Sequence, residues 1–174
     1  GWTPLVPVRR LNPNPNVEIL AKLESFNPGG SVKDRAALCM IEDAEAGGDL
    51  HPGKIILEAT SGNTGIGLAM VAAVKGYRIL LVMSESVSEE RKKILKALGA
   101  ELAFTPEHLS TDGAIEYVYN LARNEPDTYW LADQFNNPSN WKSHYLYTAR
   151  EIWKDMGESL DAVVASIGTT GTLM

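Results

Sequence analysis

The sequence predicts an α/β fold with doubly wound parallel sheets, and three observations carry that expectation. From residue 54 onward, short apolar runs of strand length alternate with longer amphipathic stretches, the pattern of βα units whose helices cover a parallel sheet. Gly76 and Gly99 each stand just past the last apolar residue of a helical stretch, where a left-handed residue ends a helix. Polar, glycine-rich loops follow several of the apolar runs, and in open parallel sheets ligands gather at such strand ends.

Taken in order, residues 5–9 read as a strand, 12–16 as a Pro/Asn turn and 17–23 as a second strand. A helix is expected over 32–46, stopped by Gly47-Gly48. Then follow strand 54–59, helix 64–75, strand 77–83, helix 88–98, strand 101–104, helix 111–124, strand 128–131, helix 142–156 and strand 162–167. No internal repeat or low-complexity tract interrupts the series.

Composition narrows the function. A hydrophobic content of 44% in 174 residues is ample for a core. No apolar run approaches the roughly 20 residues that span a bilayer, and the first residues lack a signal peptide's basic-then-apolar order. The expectation is a cytoplasmic protein without membrane contact. A net charge of −6 leaves no basic stripe for nucleic acid. The single cysteine, Cys39, excludes an internal disulfide framework and reads as a small core residue. His51, His108 and His144 stand far from any partner at ligand spacing, so no metal site is expected.

Lys33 is the most informative residue. In Asn27-Pro28-Gly29-Gly30-Ser31-Val32-Lys33-Asp34-Arg35, Ser31 is placed to cap a helix, with Asp34 three residues on in a capping-box-like position. That puts Lys33 in the first turn, where the helix dipole disfavours an ammonium by roughly 0.3–1 kcal/mol. The mismatch favours a neutral amine, the form that Schiff-base chemistry with an aldehyde cofactor requires.

Three loops add donors. Glu58-Ala59-Thr60-Ser61-Gly62-Asn63-Thr64-Gly65-Ile66-Gly67 follows a strand and opens a helix; its free amides and hydroxyls suit an anion. No lysine follows the glycines and the order is not G-x-G-x-x-G, so a small carboxylate fits better than a nucleotide. Ser166-Ile167-Gly168-Thr169-Thr170-Gly171-Thr172 can cradle a phosphate with amides and hydroxyls. In Asp133-Gln134-Phe135-Asn136-Asn137-Pro138-Ser139-Asn140, Gln134 is the natural donor to a carboxylate, within what otherwise reads as a capping loop.

A lysine amine, a phosphate site and a carboxylate site together describe pyridoxal 5'-phosphate with an amino acid substrate. On these motifs, and on Thr3-Pro4-Leu5-Val6, the whole chain resembles the fold-type II pyridoxal-phosphate enzymes, within them the cysteine synthase and cystathionine β-synthase family. The resemblance implies a fold like that of the tryptophan synthase β subunit, its large domain incomplete in these residues. Residues 1–30 would belong to the large domain, 31–145 would form a small α/β domain, and 146–174 would re-enter the large one and end in the phosphate loop. Read so, the chain is an N-terminal fragment, inactive alone.

The resemblance further implies that Lys33 holds the cofactor covalently and later acts as general base at Cα, and that Asn63 meets the cofactor's 3′ oxygen. Thr60, Ser61, Gly62, Asn63, Thr64 and Gln134 would bind the substrate, and Gly168, Thr169, Thr170, Gly171 and Thr172 the cofactor phosphate. The implied reaction is β-replacement on O-acetylserine or O-phosphoserine by a sulfur donor to give L-cysteine, in a homodimer. A serine or threonine dehydratase-like lyase and a non-catalytic binding relative remain as alternatives. Two positions depart from the family pattern: Trp2 stands where asparagine is usual, and Thr170 where the commoner motif has glycine, the latter matching the family's B branch.

Overall fold

The computed structural model describes residues 1–174. Its centre is a four-stranded, wholly parallel sheet in the order β5-β4-β3-β6, built from β3 (Ile55–Ala59), β4 (Arg78–Ser84), β5 (Glu101–Thr105) and β6 (Tyr129–Leu131). Ile55 is registered with Arg78 on one side and Tyr129 on the other, and every residue of β3 is buried. A central parallel strand covered on both faces needs such a run.

The alternation of side chains sorts the core into two layers. Ile56, Ile79, Leu81 and Met83 pack with Ala36, Ala37, Met40, Ile41, Leu68 and Ala72 of α1 (Lys33–Gly47) and α2 (Asn63–Lys75). Leu57, Ala59 and Val82 face Ala114 and Val118 of α4 (Ser110–Asn124) on the other side. The α3 helix (Glu89–Ala97) completes the first layer with Leu95. The predicted α/β parallel fold is what the chain forms.

The N-terminal strands are shorter than expected: β1 (Leu5–Pro7) and β2 (Leu20–Lys22) make a separate antiparallel pair. The expected helix 142–156 begins earlier, as α5 (Pro138–Ser143), passes through a π turn at His144–Thr148 and continues as α6 (Ala149–Met156). Asn137 caps it by accepting the Ser139 amide at 3.0 Å, with proline at the first helical position where its missing donor costs nothing. The expected strand 162–167 does not form. A parallel strand requires a neighbour's edge, none lies beside it, and Val164 and Ile167 are 96% and 81% exposed.

Helix α1 is anchored at its start by a buried cluster of charges. The Arg35 guanidinium donates to Glu24 (2.7 and 2.9 Å), to Glu151 of α6 (2.6 and 2.7 Å) and to Thr3 (3.1 Å), and Lys22 of β2 pairs with Glu151 at 2.7 Å. Burial alone would raise both carboxyls, but their hydrogen bonds, foremost from Arg35, hold each below the usual carboxylate range. Four segments distant in sequence thus meet one turn from Lys33.

Candidate active site

Lys33 opens α1, its amide donating to Ser31 Oγ at 3.2 Å. Asp34 does not close the expected capping box; its carboxylate reaches further back and accepts the Gly29 amide at 2.5 Å, tightening the Gly29-Gly30 approach, where Gly30 has a φ of 80°. The α2 helix crosses directly over this turn. A Cβ on Gly67 would stand 3.0 Å from Ala37 Cβ and 3.2 Å from the Lys33 carbonyl, so glycine there sets the closeness of the two helices. One on Gly65 would meet Thr60 Cγ2 at 3.1 Å. Gly67 therefore serves the packing of the two helices, and Gly65 the close seating of α2 against Thr60 and Leu81.

The Lys33 side chain is half-buried, and burial lowers its pKa. Its Nζ donates to Thr169 Oγ1 at 3.0 Å, across 136 residues of sequence. Thr169 Oγ1 also accepts from Asn140 Nδ2 at 2.9 Å, and Asn140 donates to the Gln134 carbonyl at 2.7 Å. Gln134 Oε1 in turn accepts from Thr64 Oγ1 at 2.7 Å. One polar chain thus joins members of all three predicted loops to the lysine.

Within that frame Thr64 and Gln134 are buried, Thr60, Ser61 and Gly62 half-buried and Asn63 exposed at the start of α2. Gly62 donates to Thr60 Oγ1 at 3.2 Å, while the amides of Asn63, Thr64 and Gly65 donate to nothing in the chain. In the last loop the amides of Gly168, Thr169, Thr170, Gly171 and Thr172 are likewise unpartnered, and the Thr170 carbonyl accepts from Leu173 and Met174. Thr170 has a φ of 64°, the region where glycine is at ease and a β-branched residue strained, which accounts physically for glycine in the commoner motif. A Cβ on Gly171 would fall 2.5 Å from Asn140 Oδ1; the loop closes against α5 only over a bare backbone.

Asn140 is the residue that sequence reasoning missed. Its signal was a polar residue of poor helix propensity just inside a helix start, where it reads as part of a cap. His144 is buried, its Nε2 3.4 Å from Thr172 Oγ1 and its Nδ1 3.1 Å from Thr148 Oγ1. Burial and the charges of Lys33 and Arg35 push its pKa down to about 4, so it is a neutral support for the loop. Cys39 is buried, and desolvation with Asp43 and Glu42 nearby raises its thiol to about 11; it is unreactive at neutral pH. Trp2 lies against α6 with Lys154 Nζ 4.4 Å from its ring centroid, away from Lys33.

A partly desolvated amine beside a loop of five free amides and a second amide-rich helix start fits an aldehyde cofactor bearing a phosphate, together with a carboxylate ligand. The chain belongs to the pyridoxal-phosphate dependent enzyme family, whose model matches residues 1–174. It is 52% identical to a cysteine synthase of Aquifex aeolicus over 177 residues, covering 100% of this chain and 54% of that protein. It is 49% identical to cysteine synthase B of Salmonella typhimurium, covering 99% and 56%. Among solved structures it superposes on a cysteine synthase (OASS) from Entamoeba histolytica with a TM-score of 0.94 at 45% identity, covering 99% of this chain and 52% of that one. The chain spans about half the length of these relatives.

Proposed function

We propose that this chain is the lysine-bearing part of an enzyme that makes L-cysteine by β-replacement on O-acetylserine or O-phosphoserine with a sulfur donor. The observation that carries the reading is the Lys33 Nζ contact with Thr169 at 3.0 Å, which sets the amine against the proposed phosphate cradle. The names of the relatives support the substrate class.

In this reading Lys33 would hold the cofactor, and residues Gly168 to Thr172 would bind its phosphate through free amides and hydroxyls. Asn63 would meet the 3′ oxygen, while Thr60, Ser61, Gly62, Thr64 and Gln134 would hold the substrate carboxylate. The bound cofactor supplies an electron sink that stabilises negative charge at the substrate Cα. Lys33, as a free amine, would take the Cα proton; the lowering of its pKa by burial favours the neutral form this needs. The Cβ–O bond breaks and acetate or phosphate leaves with its electron pair, the sulfur nucleophile bonds to Cβ, and Lys33 would return the proton to Cα.

Residues 1–30 and 146–174 are assigned to a larger domain and 31–145 to a smaller one, with Arg35 bridging them. The working protein is a cytoplasmic homodimer. No helix is long and apolar enough to cross a membrane. The test is borohydride reduction of the full-length protein loaded with pyridoxal phosphate, followed by peptide mapping. The expected label is on Lys33; a label on Lys54 or Lys75 overturns the assignment.

A further inference from the structure

Glu58, on the central strand and only 3% exposed, has no part in the reaction as derived, yet it touches the carboxylate site. Its Oε2 accepts from the Gln134 amide at 3.3 Å and its Oε1 stands 3.4 Å from Gln134 Nε2, while Gln134 Oε1 faces Thr64 Oγ1. We propose that Glu58 is a positioning residue that sets the donor direction of the Gln134–Thr64 pair, and so decides how many donors that pair offers a bound amino acid carboxylate. The inference rests on the carboxylate site proposed above.

An ionised carboxylate only accepts hydrogen bonds. It therefore selects the amide orientation seen here, with Nε2 toward Glu58 and Oε1 toward Thr64. The Thr64 hydroxyl then uses its single proton on Gln134. When Glu58 is protonated its O–H donates to Gln134 Oε1 once the amide turns end for end. Nε2 then donates to Thr64, whose proton is released to the ligand. The flip only exchanges the amide O and N between equivalent positions, so no other heavy atom need move.

The titratable groups facing Glu58 are Asp133, after β6, and Tyr119 of α4, and Glu58 joins no ion pair. Burial raises its carboxyl to about 7, with Asp133 adding to the effect and the Gln134 amide opposing it. Both the lost donor and the added negative charge weaken carboxylate binding as pH rises through that value.

The experiment titrates the full-length holoenzyme with L-serine, read by the change in cofactor absorbance, at pH 6 and pH 8. Affinity is expected to fall roughly tenfold in the wild type, the scale of one hydrogen bond to a charged group. In Glu58→Gln it should stay within about threefold. A merely structural role would weaken binding equally at both pH values. In parallel, the Glu58 carboxyl 13C resonance of the wild type should titrate near neutrality and move up by about one pH unit with L-serine bound, as linkage requires. A pH-independent wild-type affinity, an unmoved Glu58 titration, or an E58Q variant that keeps the wild-type slope overturns the inference. Failure of the wild type to bind L-serine at either pH overturns the carboxylate site itself.

Discussion

Replacing Arg35 with methionine keeps most of the aliphatic volume and removes the charge that holds α1 to the rest of the chain. The loss is worked from five hydrogen bonds, four of them to carboxylates. Breaking a buried pair by deleting one partner costs about 3–5 kcal/mol. The lower end applies here, because Glu151 keeps Lys22 at 2.7 Å and Glu24 keeps Thr3 and Asn27, each at 2.7 Å. About 3 kcal/mol corresponds to a urea midpoint lower by about 1.5 M at a slope near 2 kcal/mol/M.

The same cluster fixes an acid response. Glu24 and Glu151 are both held below their ordinary value of 4.5, so their contribution is complete above about that pH and is lost as pH falls toward the folded values. R35M should flatten this acid loss, and adding Glu24→Gln and Glu151→Gln to R35M should recover part of the stability by removing the stranded charges. Urea unfolding followed by circular dichroism from pH 3 to pH 7 measures all of it. An R35M variant within about 0.5 kcal/mol of wild type would refute the reasoning.

Gly171→Ala should weaken pyridoxal phosphate binding, because its Cβ displaces Asn140 and overpacking of this kind costs about 1–3 kcal/mol; fluorescence titration of the cofactor reads it, and unchanged affinity contradicts the cradle geometry. Thr170→Gly should relieve the positive φ and raise stability by up to about 1 kcal/mol, visible in a thermal melt as a small upward shift. Ser61→Ala and Thr64→Ala should each lower amino acid affinity by roughly 1–3 kcal/mol while leaving cofactor attachment intact. Variants that lose cofactor yet bind amino acid normally would place these hydroxyls elsewhere.

The parts of the fold written in local pattern were legible. Strands β3, β4 and β5 and helices α1 to α4 follow from apolar alternation and from glycine stops, within a residue or two. Lys33 stood out because its charge opposes the helix dipole. What was not legible depends on partners far away along the chain. Nothing local tells that Arg35 meets Glu24 and Glu151, 11 and 116 residues off, or that Asn140 joins Gln134 to Thr169. Residues 162–167 show the converse: the pattern suits a buried strand, but strand formation is decided by a neighbouring edge that no local run encodes. The start of α5 was misplaced because Asn137-Pro138 was read as the middle of a loop running to Asn140 instead of as a cap and first helical residue.

The π turn at His144–Thr148 makes chain length, rather than residue identity, the quantity that matters there. Each residue of a helix advances the side-chain direction by about 100°, so the wider turn sets the angular phase of everything after it. It is this phase that points Glu151 inward at Arg35 while His144 and Thr148 stay buried and Tyr145 and Tyr147 face out. Deleting one of those exposed tyrosines would remove the turn's extra residue, let the segment close as regular α-helix and leave Glu151 facing Arg35. One residue added between Thr148 and Glu151 has no such slack to absorb it and would swing Glu151 by about 100° away from Arg35, unfastening the clamp in the interior.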